Sequence, residues 1–361
     1  MIYQQGTSRT NGSVVYEINP LSNPNISWEK ANKLNIGTDI ALFNNRLSLT
    51  ADFYRDYYYD LLQSRGKSIE LIGMSYPTEN IGEALMNGLE LALTYRDYAG
   101  DFHYYITANW SQERSELLYM DEQDYAGENC RHTGKPLTSI FGLVADGFFT
   151  SEEEIQSAPI VAGYDRKNIR PGDIKYKNLN GDNVIDQYDQ TLIGGDKPIS
   201  YFGLDLGFEY KGFEVSAMLQ GVYNWDRYMY DATLMSGFQS VNQGYGQAYE
   251  TVLNRWTPET AATATLPRLS AGGNEYNSQP NGLWTSLWIQ SCNYIRLRNL
   301  SVGYTFPETL SRNYLAGLKI KLFVAGQNLW TQSAYAYGDP EVGFDSYPLM
   351  RTFYTGINIK F

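Results

Sequence analysis

Histidine and cysteine are nearly absent from this 361-residue chain, with two of each. Two histidines, His103 and His132, are too few for a multi-histidine metal site. Cys130 and Cys292 stand far apart and suggest neither a disulfide framework nor a zinc knuckle. No apolar run reaches the roughly 18 residues of a spanning helix, which excludes a helical membrane protein. It leaves a β-barrel open, because barrel strands are half polar. Positive charge is also scarce: 28 Lys+Arg against 40 Asp+Glu give a net charge of −12, so no general basic field for nucleic acid exists. Finally, Met1-Ile2-Tyr3-Gln4-Gln5 lacks the charged start and apolar core of an export peptide.

Tyrosine is abundant, at 31 residues, and the two aromatic girdles of a membrane barrel would use many of them. The most informative stretch is the last. Phe353, Thr355, Ile357, Ile359 and Phe361 fall on one face of a strand, and Thr352, Tyr354, Gly356, Asn358 and Lys360 on the other. Ending on an aromatic is unusual for a soluble domain, whose termini are polar and frayed. Tyr354, Gly356, Ile359 and Phe361 resemble the C-terminal signal read by the barrel-assembly machinery. Since a barrel must be exported, the missing leader is expected to lie upstream, making the chain a fragment.

The same two-residue rhythm recurs along the chain. Ile36, Thr38, Ile40 and Leu42 lead into Asn44-Asn45, and Leu47, Leu49, Ala51 and Phe53 lead out, which predicts a hairpin. A second hairpin joins Leu89–Tyr95 to Phe102–Trp110 across Asp97 to Asp101. A third joins Phe202–Phe208 to Phe213–Leu219 across Lys211-Gly212. Val14–Ile18 and Ser139–Thr150 read as further strands, and Trp225–Trp288 as mostly loop. In Tyr294–Phe306 the apolar parity changes after Leu297, which predicts a β-bulge near Arg298-Asn299. Leu318, Ile320, Leu322 and Val324 form the strand before the last. Short turns alternate with loops of tens of residues, as in barrels with short periplasmic turns and long extracellular loops.

Several segments resemble the SusC-like (RagA-type) branch of the TonB-dependent transporters of Bacteroidetes. They are Asn25-Ile26-Ser27-Trp28-Glu29-Lys30, Asn35-Ile36-Gly37-Thr38-Asp39, Ile140 to Phe149, Arg170-Pro171-Gly172-Asp173-Ile174, Leu266-Pro267-Arg268-Leu269, Tyr294 to Pro307, Gln327-Asn328-Leu329-Trp330 and Gly338-Asp339-Pro340-Glu341-Val342. Each is weak alone; in this order they are specific. The resemblance implies an all-β fold, an antiparallel transmembrane β-barrel, of which residues 1–361 would be the single, incomplete C-terminal domain. The full barrel would have about 22 strands and a plugged lumen, the plug being absent here. It implies import of glycans or peptides across the outer membrane, a SusD-like lipoprotein as lid, and energy from the TonB complex through a missing N-terminal part. Outer-membrane lipid would meet the apolar faces. A stand-alone smaller barrel and a soluble calcium-binding surface protein are the alternatives; an enzyme is not expected.

The sharpest local motif runs from Asn178 to Asp189. Asn178, Asn180, Asp182, the Val184 carbonyl, Asp186 and Asp189 have the oxygen-ligand spacing of a calcium loop. Asn183 stands where glycine is usual, and the alternative is an Asx-rich turn without an ion. His103 is expected on the lumenal face in a structural role, and Asp339-Pro340-Glu341 as turn-fixing. Trp225, Trp256, Trp284, Trp288 and Tyr57-Tyr58-Tyr59 are candidates for stacking on cargo, against a plainer role in girdle or loop packing.

Overall fold

The computed structural model describes residues 3–7, 14–18, 23–66, 77–123, 127–229, 250–269, 275–314, 317–342 and 346–360. Phe361, the last residue of the expected assembly signal, lies outside them. Nine strands form one antiparallel sheet: β1 (Lys30–Leu42), β2 (Leu47–Gln63), β3 (Glu79–Ala99), β4 (Phe102–Tyr119), β5 (Ile199–Tyr210), β6 (Phe213–Tyr223), β7 (Tyr294–Thr305), β8 (Lys319–Ser333) and β9 (Thr352–Lys360). Each strand pairs with the next, so the sheet is an up-and-down meander, the topology of a barrel wall. A separate two-stranded hairpin pairs Val14–Ile18 with Tyr3–Thr7.

Register makes the sheet two-faced. Phe353, Thr355, Ile357 and Ile359 of β9 continue across the ladder into Gly326, Val324, Leu322 and Ile320 of β8. The row runs on through Leu300, Val302 and Tyr304, then Ala217, Val215 and Phe213, then Leu206, Phe208 and Tyr210. Many of these apolar groups are bare: Val302 is 44 %, Ile357 65 % and Phe353 69 % exposed. Such a surface is stable only against hydrocarbon. The opposite face carries Asp39, Asp52, Glu90, Thr107, Asp205, Ser216 and Asn358, which share the other parity of the ladder; Asp52 pairs directly with Glu90 and Thr107 with Asp205. This is the lumenal side.

The predicted bulge is present. β6 and β7 slip register between Met218 and Leu219, which face Asn299 and Leu297, leaving Arg298 as the extra residue. β8 answers at the same level, where Asn328 takes a left-handed φ of 53°. The bulge flips parity, so Ile295 and Leu297 share the lipid face with Leu300 and Val302 despite their odd spacing.

Rings repeatedly cover glycines on the neighbouring strand. Tyr54 lies opposite Gly88, Tyr105 opposite Gly207 and Phe323 opposite Gly356, all on the lumenal face. A Cβ at Gly356 would meet Phe323 Cζ at 2.5 Å, and one at Gly88 would meet Tyr54 Cζ at 2.5 Å. The bare backbone makes room for the ring, and the ring restores the packing that glycine lacks.

Turns alternate in length as expected. One end has the turn 43–46, Gly100-Asp101, Lys211-Gly212 and residues 306–318; the other has 64–78, 120–198, 224–293 and 334–351. Lys211 (φ 46°) and Gly212 (φ 88°) form the left-handed pair of a tight hairpin. The first hairpin differs from expectation. Phe43, Asn44 and Asn45 are all left-handed and Arg46 N donates to Phe43 O, so four residues turn the chain rather than Asn44-Asn45 alone. The expected strand Ser139–Thr150 is also corrected. Its residues split into Ile140–Gly142, paired with Thr191–Gly194, and Ala145–Phe148, paired with Ile174–Tyr176. Alternation there reflects burial inside a loop body, not membership of the wall.

Candidate functional site

The two longest loops, 120–198 and 224–293, fold together into one body with its own core. Leu143, Phe149, Ile155, Val161, Ile169, Ile174, Tyr176, Ile185 and Tyr276 are buried against each other. Helix Glu152–Ser157 enters this core through Ile155. Ser151 caps it by accepting from Glu154 N, and the Glu154 carboxylate accepts from Thr150 N and Oγ1. A second cluster gathers Tyr228, Met229, Trp288, Cys292 and Tyr335. Burial pushes the Tyr176 phenol well above its ordinary value, and its hydroxyl donates to Tyr276 O at 2.6 Å.

Two ion-pair staples join segments that lie far apart in sequence. Asp173, 1 % exposed, forms an ion pair with Arg268, whose Nε lies 2.7 Å away, and accepts from Arg268 Nη2 at 3.0 Å, from Asn277 Nδ2 at 2.8 Å and from Arg170 N at 2.8 Å. It ties loop 120–198 to loop 224–293. Gly172, beside it, needs its left-handed φ of 92°, and the Trp256 ring and Arg268 stem fill the place a side chain would take. The second staple centres on Arg296 of β7, which is wholly buried. Its guanidinium meets Asp339 at 2.7 Å and Glu341 at 2.6 Å. Glu341 further accepts from Tyr294 OH at 2.6 Å, Gln220 Nε2 at 2.7 Å and Arg298 Nη1 at 3.1 Å. Loop 334–351 is thereby clamped to the lumenal side of the wall at the bulge. Asp339-Pro340-Glu341, expected to fix a turn, takes as its partner an arginine on β7 that no spacing along the chain reveals.

Along the strands of the wall, bordered by Trp225 just past the end of β6 and by Glu341 of loop 334–351, lies an open trough of about 720 Å³. Asp52, Glu90, Asn109 and Gln220 rise from the strands, while Tyr201, Trp225 and Tyr294 supply rings. Asp52 and Glu90 are directly paired across β2 and β3. This arrangement offers hydrogen-bonding groups and flat apolar faces side by side, suited to polar cargo with ring or backbone planes. Only Trp225 among the expected tryptophans borders it. Trp284 stacks on Tyr228 at 4.6 Å, Trp288 is buried with its Nε1 donating to Asn277 O, and Trp256 packs on Gly172. Tyr57 and Tyr59 stack on each other at 5.5 Å, while Tyr58 pairs with Lys33 and Asp56. His103 lies against Tyr98 at 5.7 Å, at the short-turn end of the wall.

The Asn178–Asp189 loop uses its oxygens on its own backbone. Asn178 Oδ1 accepts from Gly181 N, Asn180 Oδ1 from Asp182 N, Asp182 Oδ1 from Val184 N and Asp186 Oδ1 from Tyr188 N. Asp189 is fully buried and accepts from Leu179 N at 2.6 Å and Asp186 N at 2.9 Å. Asn183 takes the left-handed turn at φ 69°. Among the described residues, no three His, Cys, Asp or Glu side chains converge as a metal cluster. Nearby, burial holds His132 below its ordinary value against the pull of Glu122. Burial opposes ionisation of Glu122 too, yet Thr133 Oγ1 and the backbone N–H groups of His132 and Thr133 hold its carboxyl below the usual range. In the expected assembly signal, Gly356 sits under Phe323, Tyr354 meets that ring edge-on at 6.3 Å, and Ile359 lies on the lipid face opposite Ile320.

The family model described as TonB dependent receptor-like, beta-barrel, matches residues 2–152. TonB-dependent receptor P3 of Formosa agariphila is 27 % identical, the match covering 99 % of this chain and 36 % of that protein. SusC of Bacteroides thetaiotaomicron is 26 % identical over 94 % of this chain and 32 % of its own length. The structure of the RagAB peptide importer in its open-open state superposes on all of this chain and 38 % of that one, with a TM-score of 0.70 at 21 % identity. The chain therefore spans about a third of the length of these relatives.

Proposed function

We infer function from one premise: the chain is a C-terminal portion of a TonB-dependent receptor β-barrel, SusC/RagA-like and resident in the outer membrane, in a family of transporters rather than enzymes. On that premise we propose that residues 1–361 are one incomplete barrel domain of an importer for peptides or oligosaccharides. The observation that carries this is the two-faced meander with all its long loops at one end. The apolar face meets lipid, the polar face lines the lumen, and cargo is handled in the trough along the strands. A SusD-like lipoprotein would close over the long-loop end. The TonB complex would act through a plug that further chain supplies, and the barrel-assembly machinery would read the terminal strand.

Uptake in cells tests the reading. Deleting the gene for the full receptor should abolish growth on one class of cargo, either short peptides or oligosaccharides, as sole nutrient, and the intact gene should restore it. Unchanged uptake of every peptide and oligosaccharide supplied would overturn it. Affinity purification of the full receptor should bring down a lipoprotein, and truncating loop 334–351 should weaken that capture.

A further inference from the structure

We propose that the lipid-facing side of β4, β5 and β6 holds one phospholipid of the periplasmic leaflet, its acyl chain in a groove and its phosphate on Lys211. On this outer wall Phe102, Tyr104 and Ile106 of β4 and Leu206 and Phe208 of β5 stand beside Ala217 of β6. The step from rings to a single methyl leaves a depression of about 390 Å³, within the range of small-molecule sites. β4, β5 and β6 are flanked by β3 and β7, so the groove does not depend on the free edges of the sheet. It opens on the bare apolar face, where the surrounding medium is hydrocarbon.

Any annular lipid would satisfy a greasy surface; the headgroup end separates this site from the rest of the wall. Phe102, a rim of the groove, packs edge-on against Tyr210 at 6.1 Å, and Lys211 Nζ lies 5.3 Å from the Tyr210 ring centroid. Lys211 follows immediately in the hairpin turn and makes no ion pair among the described residues, Asp101 of the adjacent turn included. The lysine therefore stands where the aromatic belt ends, on the side of the short turns. That side faces the periplasm, where lipid headgroups carry phosphate and a cation near the surface is attracted to them.

Native mass spectrometry of the full receptor in mild detergent, titrated with dioleoylphosphatidylglycerol, tests the assignment. Wild type should retain one phospholipid. Ala217→Trp fills the groove and should abolish retention. Lys211→Asn removes the charge but keeps a residue at ease with positive φ, and retention should fall about fivefold, the worth of one lysine at an anionic surface. Dioleoylglycerol, with the same chains and no phosphate, should bind wild type no better than phosphatidylglycerol binds Lys211→Asn. Equal retention by all three proteins, or diacylglycerol held as tightly as phosphatidylglycerol, would overturn the proposal. If Ala217→Trp loses the heat-modifiable gel shift of a folded barrel, Lys211→Asn and the diacylglycerol comparison decide alone. Neither outcome depends on which cargo the receptor imports.

Discussion

Gly356 and Phe323 show how narrowly single residues are constrained in this wall. A methyl at 356 would run into the half-buried Phe323 ring, with Cζ at 2.5 Å and Cε1 at 2.7 Å. At Gly303 the same methyl would meet only the flexible end of Lys321, with Cε at 2.7 Å. Gly356→Ala in the full receptor is therefore expected to destabilise by about 1–3 kcal/mol, and Gly303→Ala to be near neutral. Temperature-dependent loss of the heat-modifiable gel band compares the two; equal effects would show that the ring does not need the glycine. The ion pairs follow the same logic. Arg268→Met leaves Asp173 buried without its cation, an expected cost of about 3–5 kcal/mol, whereas Asp173→Asn with Arg268→Met should recover part of it. A double-mutant cycle reads the coupling. These partners were half legible in the sequence. Arg170-Pro171-Gly172-Asp173 and Leu266-Pro267-Arg268 stood out as separate motifs, but nothing along the chain says that one supplies the anion and the other the cation.

Among the elements, the strands were legible and the loop body was not. A lipid-facing strand must alternate, because each neighbouring residue faces a different solvent, so β5, β6 and β9 could be drawn from parity alone. Even the bulge at Arg298 left its trace as a parity change. Inside the loop body, short strands such as Ile140–Gly142 are packed on both sides, and their pattern no longer reports a face. The body also has its own pH response. Burial holds His132 low; hydrogen bonds hold Glu122 low despite burial, and Glu154 is held low by Lys175 and Thr150 despite its own. A group depressed in the folded state stabilises above its unfolded value and loses that contribution as pH falls. The loop body should thus weaken on acidification, His132 contributing first below pH about 6.5 and the two glutamates below about 4.5. Hydrogen exchange at pH 7, 5.5 and 4, corrected for the intrinsic pH dependence of amide exchange, should show falling protection of residues 140–194 while β5 and β6 stay protected; pH-independent protection would contradict the assignment. In the same region Asp189→Asn keeps one acceptor oxygen and sets an amide donor against either Leu179 N or Asp186 N, with an expected loss of about 1–3 kcal/mol. Repeating that measurement with added calcium or chelator separates ion from hydrogen bonds. An unfolding midpoint that follows calcium assigns an ion to Asn178–Asp189, and an unmoved midpoint assigns the loop's stability to its backbone bonds.

At the scale of the whole molecule, β1 and β9 each have a neighbour on one side only among the described residues. Lipid cannot satisfy the row of backbone groups on a free strand edge. Expressed by itself, the 361-residue chain is expected to aggregate, and supplying the barrel strands of a longer relative should rescue it. A folded, heat-modifiable monomer of the chain alone would show instead that its edges close on each other. The apolar face of the wall is assigned to lipid and the polar face to an aqueous lumen, with the two exchanging parity at Arg298. Spin labels placed singly at positions 294 to 305 of the full receptor in membranes, with Cys130 and Cys292 replaced, distinguish the two faces residue by residue. Accessibility to oxygen should peak at Ile295, Leu297, Leu300, Val302 and Tyr304, and accessibility to an aqueous nickel chelate at Ser301 and Gly303, with a one-residue phase slip at Arg298. An uninterrupted two-residue period, or aqueous access at every position, would contradict it.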